Sequence, residues 1–127
     1  MFQPKASFSG FSVDNLAKAK EFYTETLGLK LDKEGFGFSL HLPGGGRGFV
    51  YPKSDHQPAS FTILNFQVDD IDEAVNELTK RGVRFERYEG IETDAKGIAR
   101  GISTKHGPDI AWFKDPAGNI LAVLQQG

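Results

Sequence analysis

The 127-residue chain contains no cysteine, which excludes disulfides, thiolate nucleophiles and cysteine-ligated zinc. It has no run of about 18 apolar residues, so no membrane span is predicted. The first residues, MFQPKASF, lack a charged segment followed by a long apolar one, and a secretory signal is not expected. There is no basic excess either, because the formal net charge is −2, and this argues against a nucleic-acid or anionic-membrane surface. These features are expected of a cytoplasmic protein.

Phenylalanine is abundant instead, with 11 copies against a single tryptophan and a single methionine. Large aromatic side chains bury much surface, so a chain with 39% hydrophobic residues can still form a small core. The length suits either one domain or two fused half-domains.

An internal repeat favours two fused half-domains. The segment FSVDNLAKAKEFYTETLGLKL, which starts at Phe11, resembles FQVDDIDEAVNELTKRGVRF, which starts at Phe66. An offset of 55 residues aligns the beginnings of the two copies; one residue is then lost, so that Gly28 corresponds to Gly82. Two copies are too few for a solenoid, and the repeat therefore indicates a pair of similar modules.

Both copies predict the same order of elements. Alternating apolar residues predict a first strand, and Asn15 and Asp70 are suitable N-cap residues for the helix that follows. Apolar residues then recur at helical spacing up to Gly28 and Gly82, which are typical C-cap glycines. A strand and a hairpin come next, so each module is predicted to be β-α-β-β-β and the fold class α+β.

The predicted modules are residues 1–54 and 61–127, with a polar linker at 55–60 inside the proline-containing stretch YPKSDHQPAS. The longest segment without a clear pattern is 89–107. The stretch PGGGRG at 43–48 lacks a Walker lysine and a following helix, so we interpret it as a hairpin turn rather than as a phosphate cradle.

Two motifs resemble those of the vicinal oxygen chelate superfamily, which includes glyoxalase I, extradiol dioxygenases and bleomycin-resistance proteins. One is V-D-x-L-x-x-A-x-x-F-Y-x-x-x-L-G-L from Val13 to Leu29, and the other is D-P-x-G-N from Asp115 to Asn119. The resemblance covers nearly the whole chain. It implies two βαβββ modules in tandem that form a curled mixed sheet around a cavity. It also implies a homodimer, since bleomycin-resistance-like members bind ligand near a subunit interface.

Metal-using members of this superfamily place four ligands in the cavity: a histidine from the first strand of each module, and a glutamate or another ligand from the last. Carried over by motif, these positions fall on Phe8, Ile63, Ala122 and either Phe49 or Gly48. None of these side chains can coordinate a divalent ion, which needs imidazole, carboxylate or thiolate donors. The sequence therefore predicts no metal and no other cofactor.

Strand alternation predicts which side chains line the cavity instead. Residues two positions along the same strand from a mapped ligand position should share its face, and Trp112 should lie opposite Ala122 across the last hairpin. Phe11 and Phe66 should lie on the other face, under the helices. The predicted ligand-binding set is mostly apolar, with three polar side chains, as is usual for small-molecule sites: Phe8, Ser12, Phe49, Ile63, Asn65, Gln67, Trp112 and Ala122.

Some of these residues also have a purely structural interpretation. Trp112 can fill the core, and the amides of Asn65 and Gln67, if enclosed, can bond to water or backbone as well as to a ligand. The three histidines show no H-x-H or H-x-x-x-H spacing, so strand-end and loop positions are favoured over a displaced metal site, and contact of one with a ligand is left open: His41, His56 and His106.

The leading interpretation is a metal-independent protein that binds an apolar or aromatic small molecule in the cavity between the modules. Its partner is a small molecule rather than nucleic acid or a membrane, and no catalytic residue is assigned. The first alternative is a metal-dependent enzyme of the glyoxalase or dioxygenase type with displaced ligands. The others are a metal-free enzyme that uses a histidine or Tyr51 as acid or base, and a sensory or interaction domain without a free ligand.

Overall fold

The computed structural model describes all residues from Met1 to Gly127, and the chain divides into two compact units, Met1–Gln57 and Pro58–Gly127. The division falls inside the segment predicted as a linker. Each unit combines one mixed sheet with one helical segment, so the predicted α+β class is confirmed.

The first unit has the predicted β-α-β-β-β order. Its sheet runs β1-β4-β3-β2, with β1 parallel to β4 and the other pairs antiparallel. The elements are β1 (Ser9–Val13), α1 (Leu16–Glu21), β2 (Leu31–Glu34), β3 (Gly37–His41) and β4 (Arg47–Pro52). Gly44 and Gly45 in the β3–β4 connection have φ angles of +94° and +99°, so the glycine-rich stretch forms the predicted turn.

The second unit repeats this order with one strand interrupted. Its sheet runs β5-β9-β8-β6, and the short strand β7 pairs with β8 beyond β6. The elements are β5 (Thr62–Gln67), α2 (Ile71–Lys80), β6 (Phe85–Glu86), β7 (Ala99–Arg100), β8 (Asp109–Lys114) and β9 (Ile120–Gln125). The interruption between β6 and β7 lies mostly within residues 89–107, the segment in which the sequence shows no clear pattern. Both helices fall short of the length and hydrophobicity that a membrane-spanning helix requires.

The helix ends follow the sequence signals. The side chains of Asn15 and Asp70 each accept a hydrogen bond from the backbone N–H three residues later, at 3.0 and 3.1 Å. Gly28 and Gly82 end the helical segments with φ angles of +71° and +93°, a conformation that glycine adopts without strain.

The extra residue of the first copy is absorbed by a π-helical segment, Phe22–Thr26, which continues α1. At its end the Leu29 N–H donates to the carbonyl of Tyr23, six residues earlier, at 2.9 Å. In the second copy the corresponding bond joins Val83 to Leu78, only five residues earlier, at 3.0 Å. One additional residue in a helix widens a turn in this way, so the lost residue in the repeat has a direct structural counterpart.

Each sheet buries one face under its own helix. In the first unit α1 lies against β4, and in the second α2 lies against β8 and β9. Phe11 pairs with Val50 and Phe66 pairs with Val123, so both repeated phenylalanines occupy the same place on the helix-covered face, as predicted. The opposite face of each sheet is here called the helix-free face. The first helix-free face belongs to the first unit and the second helix-free face to the second unit.

Candidate functional site

The strand register identifies equivalent positions on the two helix-free faces. In the first unit Gly10 of β1 pairs with Phe49 of β4, and in the second Asn65 of β5 pairs with Ala122 of β9. Asn65 corresponds to Gly10, because the two copies of the repeat are offset by 55 residues. Their strand partners correspond as well, so Phe49 is the structural counterpart of Ala122. Gly48 is buried and alternates to the helix-covered face, which resolves the two alternatives left by the sequence.

The side chains at the four mapped positions do not fit a metal ion. Phe8, Phe49, Ile63 and Ala122 offer no nitrogen, oxygen or sulfur donor. Elsewhere in the chain, no group of three or more His, Cys, Asp or Glu side chains lies close enough together to hold one. The chemistry of the donor set therefore gives no basis for a metal-dependent reaction at these positions.

Trp112 lies at the centre of the second helix-free face. It is half-buried and pairs with Ala122 across β8 and β9, as the hairpin predicted, while Glu86 of β6 pairs with it on the other side. Ala122 itself is fully buried, since it sits between Asn65 and Trp112 in the register. A molecule on this face would therefore contact the indole of Trp112 rather than the methyl group of Ala122.

Asn65 and Gln67 lie on the second helix-free face, at the end of the sheet formed by β5. Both side chains are exposed. The single chain does not enclose them, so water satisfies their amides when no ligand is bound. They remain accessible hydrogen-bonding groups beside an apolar surface.

Strand counting does not fix the direction of two residues of the predicted site. Phe8 precedes β1 and is 72% exposed, so alternation along that strand does not fix its direction. In β5 the register shifts between Thr62 and Leu64: Thr62 pairs with Ile120, and Ile63 is the bulged residue. A bulge adds one residue to one strand and interrupts the alternation, so the direction of the Ile63 side chain does not follow from counting along β5.

Tyr88 was missed by the sequence analysis. Its ring packs edge-on against Trp112, with centroids 5.8 Å apart and planes at 79°. Its hydroxyl oxygen is buried and has no hydrogen-bond partner within the chain. Burial, and secondly the carboxylate of Glu86, raise the pKa of Tyr88 above its usual value. Tyr88 follows Glu86 by two residues, so strand alternation would place it on the same face as Glu86. The strand β6 ends at Glu86, however, and the alternation does not extend to Tyr88.

The first helix-free face carries an aromatic cluster. Phe49 and Tyr51 stack with ring centroids 5.8 Å apart and planes at 18°. Phe36, from the β2–β3 turn, stands edge-on to both, at 5.8 and 6.4 Å, and is 68% exposed. Phe49 belonged to the predicted site; Phe36 lies in a turn and has no periodic signal that would have revealed it.

Ser12 and His56 form a polar pair at one end of the first helix-free face. Ser12 pairs with Tyr51 in the register, and its Oγ lies 2.6 Å from Nδ1 of His56. Of the three histidines, His56 is therefore the one that contacts a residue of the predicted site.

His41 pairs with a carboxylate at the edge of the same sheet. Its Nε2 lies 2.7 Å from Oδ2 of Asp32, and Nη1 of Arg47 lies 3.2 Å from the same oxygen. The hydrogen bond from His41, followed by the contact with Arg47, holds the pKa of Asp32 below its usual range. All three side chains are partly exposed to solvent, so they form an ion-pair group on the surface.

Two concave regions lie apart from the predicted site residues. One, of about 620 Å³, is formed by residues of the second unit that include His106 and Arg100. The guanidinium of Arg100 contacts Asp72, Asp94 and Asp109 at 2.7, 2.9 and 3.4 Å, so these carboxylates already neutralise it. The other, of about 510 Å³, lies in the first unit between α1 and the β2–β3 hairpin.

A family model of the Glyoxalase/Bleomycin resistance protein/Dioxygenase superfamily matches residues 8–123, and the chain belongs to this superfamily. The sequence has no significant match among curated proteins.

Several solved structures resemble the whole chain. TnmS3, an antibiotic binding protein from Streptomyces sp. CB03234, is 26% identical, with a TM-score of 0.66 over 99% of this chain and 100% of that one. A glyoxalase family protein from Enterococcus faecalis is 20% identical, with a TM-score of 0.66 over 98% and 99%. The fosfomycin resistance protein FosX from Listeria monocytogenes is 14% identical, with a TM-score of 0.69 over 99% and 96%. The last two likenesses concern the fold alone.

Proposed function

We propose that this chain binds a small apolar or aromatic molecule, without a metal, on the helix-free faces of its sheets. The observation that carries the proposal is the half-buried indole of Trp112, which stands in the middle of such a face opposite the small side chain of Ala122. A flat aromatic ring beside a small neighbour provides a surface on which another flat ring can stack.

The composition of the second helix-free face supports this proposal. Ile110 and Leu124 pair with each other on that face, two positions from Trp112 and Ala122, and extend the apolar surface. Asn65 and Gln67 provide exposed amides at its border. Ligand sites combine apolar walls with a few placed hydrogen-bonding groups in this manner.

The first unit supplies a similar surface. Phe49 and Tyr51 stack in parallel, and the exposed ring of Phe36 stands against them. Exposed aromatic clusters of this kind commonly mark binding surfaces. TnmS3, which is 26% identical to this chain, is an antibiotic binding protein, and this supports binding rather than catalysis.

The proposal is tested by titrating the protein with a library of fused-ring aromatic compounds while Trp112 fluorescence and melting temperature are recorded. A binder should change the fluorescence saturably and raise the melting temperature, because a ligand specific for the native state stabilises it. Both effects should persist in excess EDTA. A library in which no compound gives either response, or a response abolished by EDTA, would overturn the proposal.

A second candidate function is metal-free acid–base chemistry, and the 2.6 Å contact between Ser12 and His56 favours it. An imidazole at this distance can take the proton of a serine hydroxyl that attacks an ester. Release of p-nitrophenolate from p-nitrophenyl acetate faster than in a Ser12→Ala variant would support it, and equal rates would dismiss it. It ranks second because it rests on one pair of side chains, whereas the second helix-free face combines the indole of Trp112, apolar neighbours and two exposed amides.

We further propose that the protein is a homodimer, as the superfamily resemblance implies, and that it is cytoplasmic, in line with the absence of cysteine. Several large apolar side chains are exposed in the single chain, among them Phe2, Phe8 and Phe61 at 88%, 72% and 67%. Exposed aromatic residues in this number are explained by contact with a second copy of the chain. Light scattering coupled to size exclusion should give twice the 14.0 kDa chain mass, and the mass of one chain would contradict the proposal.

A further inference from the structure

The hydroxyl group of Tyr88 is buried without a hydrogen-bond partner in the chain. Most buried polar groups in proteins are paired, and an unpaired hydroxyl costs free energy. The ring of Tyr88 packs edge-on against Trp112, with centroids 5.8 Å apart. The hydroxyl therefore has no partner in the free chain. It belongs to a side chain that contacts Trp112, the residue on which the proposed function rests.

The hydroxyl is a hydrogen-bond donor at neutral pH. Burial and the nearby carboxylate of Glu86 raise the pKa of Tyr88, so the phenol keeps its proton. Glu86 lies 3.7 Å from Nζ of Lys114, but its negative charge still acts on Tyr88. A second anion beside this carboxylate is unfavourable, so the hydroxyl suits an uncharged acceptor, such as a carbonyl oxygen, better than a carboxylate or a phosphate.

We propose that Tyr88 is a specificity-determining residue, which donates a hydrogen bond to a neutral oxygen acceptor at the rim of a flat aromatic ligand stacked on Trp112. This inference rests on the proposed function and names the ligand class for that same site. Because the oxygen is covered in the free chain, the phenol ring must rotate outward to reach the ligand. The missing hydrogen bond favours this movement, since the buried position of the hydroxyl is not stabilised by a partner.

The test compares the wild-type chain with Tyr88→Phe, using 9-fluorenone and fluorene as probes. These two flat molecules differ by one carbonyl oxygen, and Trp112 fluorescence reports the binding of both. In the wild type, 9-fluorenone should bind about three- to tenfold more tightly than fluorene, the usual range for one hydrogen bond. In Tyr88→Phe this preference should disappear, because the affinity for 9-fluorenone falls to about that for fluorene.

The melting temperature of the free protein provides a second readout that separates binding from structure. The Tyr88→Phe variant should melt at the same temperature as the wild type or higher, because the change removes an unpaired buried hydroxyl. A lower melting temperature would show that the hydroxyl has a structural partner and would overturn the inference. Equal affinity of the wild type for the two probes would also overturn it while leaving the proposed function intact. Absence of any response to either probe would count against both.

Discussion

Trp112 lies directly opposite Ala122 in the antiparallel register of β8 and β9. The pairing places the single indole of the chain on the helix-free face, two strands away from Asn65 of β5. Because the chain has one tryptophan, its fluorescence reports on this face without interference from any other position. This property makes the proposed binding surface directly measurable.

The first prediction concerns metal removal. Because Phe8, Phe49, Ile63 and Ala122 stand at the mapped ligand positions, dialysis against EDTA should leave both the melting temperature and the Trp112 fluorescence unchanged. Elemental analysis of protein purified without chelator provides the independent measurement. Stoichiometric zinc, nickel, iron or manganese that EDTA removes with a fall in melting temperature would contradict this prediction.

The second prediction concerns acid stability. Asp72 accepts hydrogen bonds from Arg100 and then Lys96, at 2.7 and 3.2 Å, and these lower the pKa of Asp72 to about 2. A carboxyl group whose pKa is lower in the folded state stabilises the fold above its unfolded pKa, near 4, and loses that contribution as the pH falls towards 2. The side chain is 43% exposed, so solvent screening limits the contribution to about 1 kcal/mol or less.

Urea denaturation at pH 6 and pH 3 of the wild type and Asp72→Asn measures this effect. The difference in free energy of unfolding between the two proteins should shrink at the lower pH. Asp69→Asn is the matched control, because Asp69 is an exposed carboxylate near the start of the same helix. A difference for Asp72→Asn that is the same at both pH values would show that the ion pairs contribute nothing measurable.

Local signals in the sequence were sufficient for the elements and for part of the register. Asp115 accepts hydrogen bonds from the N–H groups of Ala117 and Asn119, both at 2.9 Å, and this closes the last hairpin in a single geometry. With the turn fixed, counting along the strands places Trp112 opposite Ala122 correctly. Hairpin registers are predictable when the turn residues specify them.

The remaining misplacements have physical causes that a sequence does not reveal. The bulge at Ile63 adds a residue without any change in residue type, so alternation fails there. Phe8 was counted as part of a strand that begins one residue later. Tyr88 meets Trp112 through a tertiary contact from a segment without periodicity. Local patterns carry no information on contacts of this kind.

The third prediction concerns the π-helical segment. If it exists only to absorb the extra residue of the first copy, deletion of the exposed Glu25 should convert it into an ordinary helical turn that resembles the end of α2. The variant should fold, with a free energy of unfolding within about 1 kcal/mol of the wild type, because no core contact is removed. Far-ultraviolet circular dichroism and urea denaturation provide the measurement.

Deletion of Lys80, an exposed residue near the end of α2, is the matched control. The helix of the second copy has no extra residue, since the bond from Val83 to Leu78 spans five residues, one fewer than the bond from Leu29 to Tyr23. Its deletion should therefore be clearly more destabilising than that of Glu25. Equal costs for the two deletions would show that the π-helical segment is not the adaptation to an inserted residue.

The fourth prediction concerns Asn65, which pairs with Ala122 on the second helix-free face and has an exposed side chain. If its amide bonds to the ligand, Asn65→Leu should weaken binding by about 1–3 kcal/mol, because a polar group of the ligand then loses its partner. The free energy of unfolding should change by less than about 0.5 kcal/mol, as is usual for an exposed site. Asn76→Leu makes the same change on the exposed surface of α2 and should leave affinity unaltered. If instead Asn65→Leu destabilises the fold while affinity is retained, the side chain has a structural role, and the ligand lies elsewhere on the sheet.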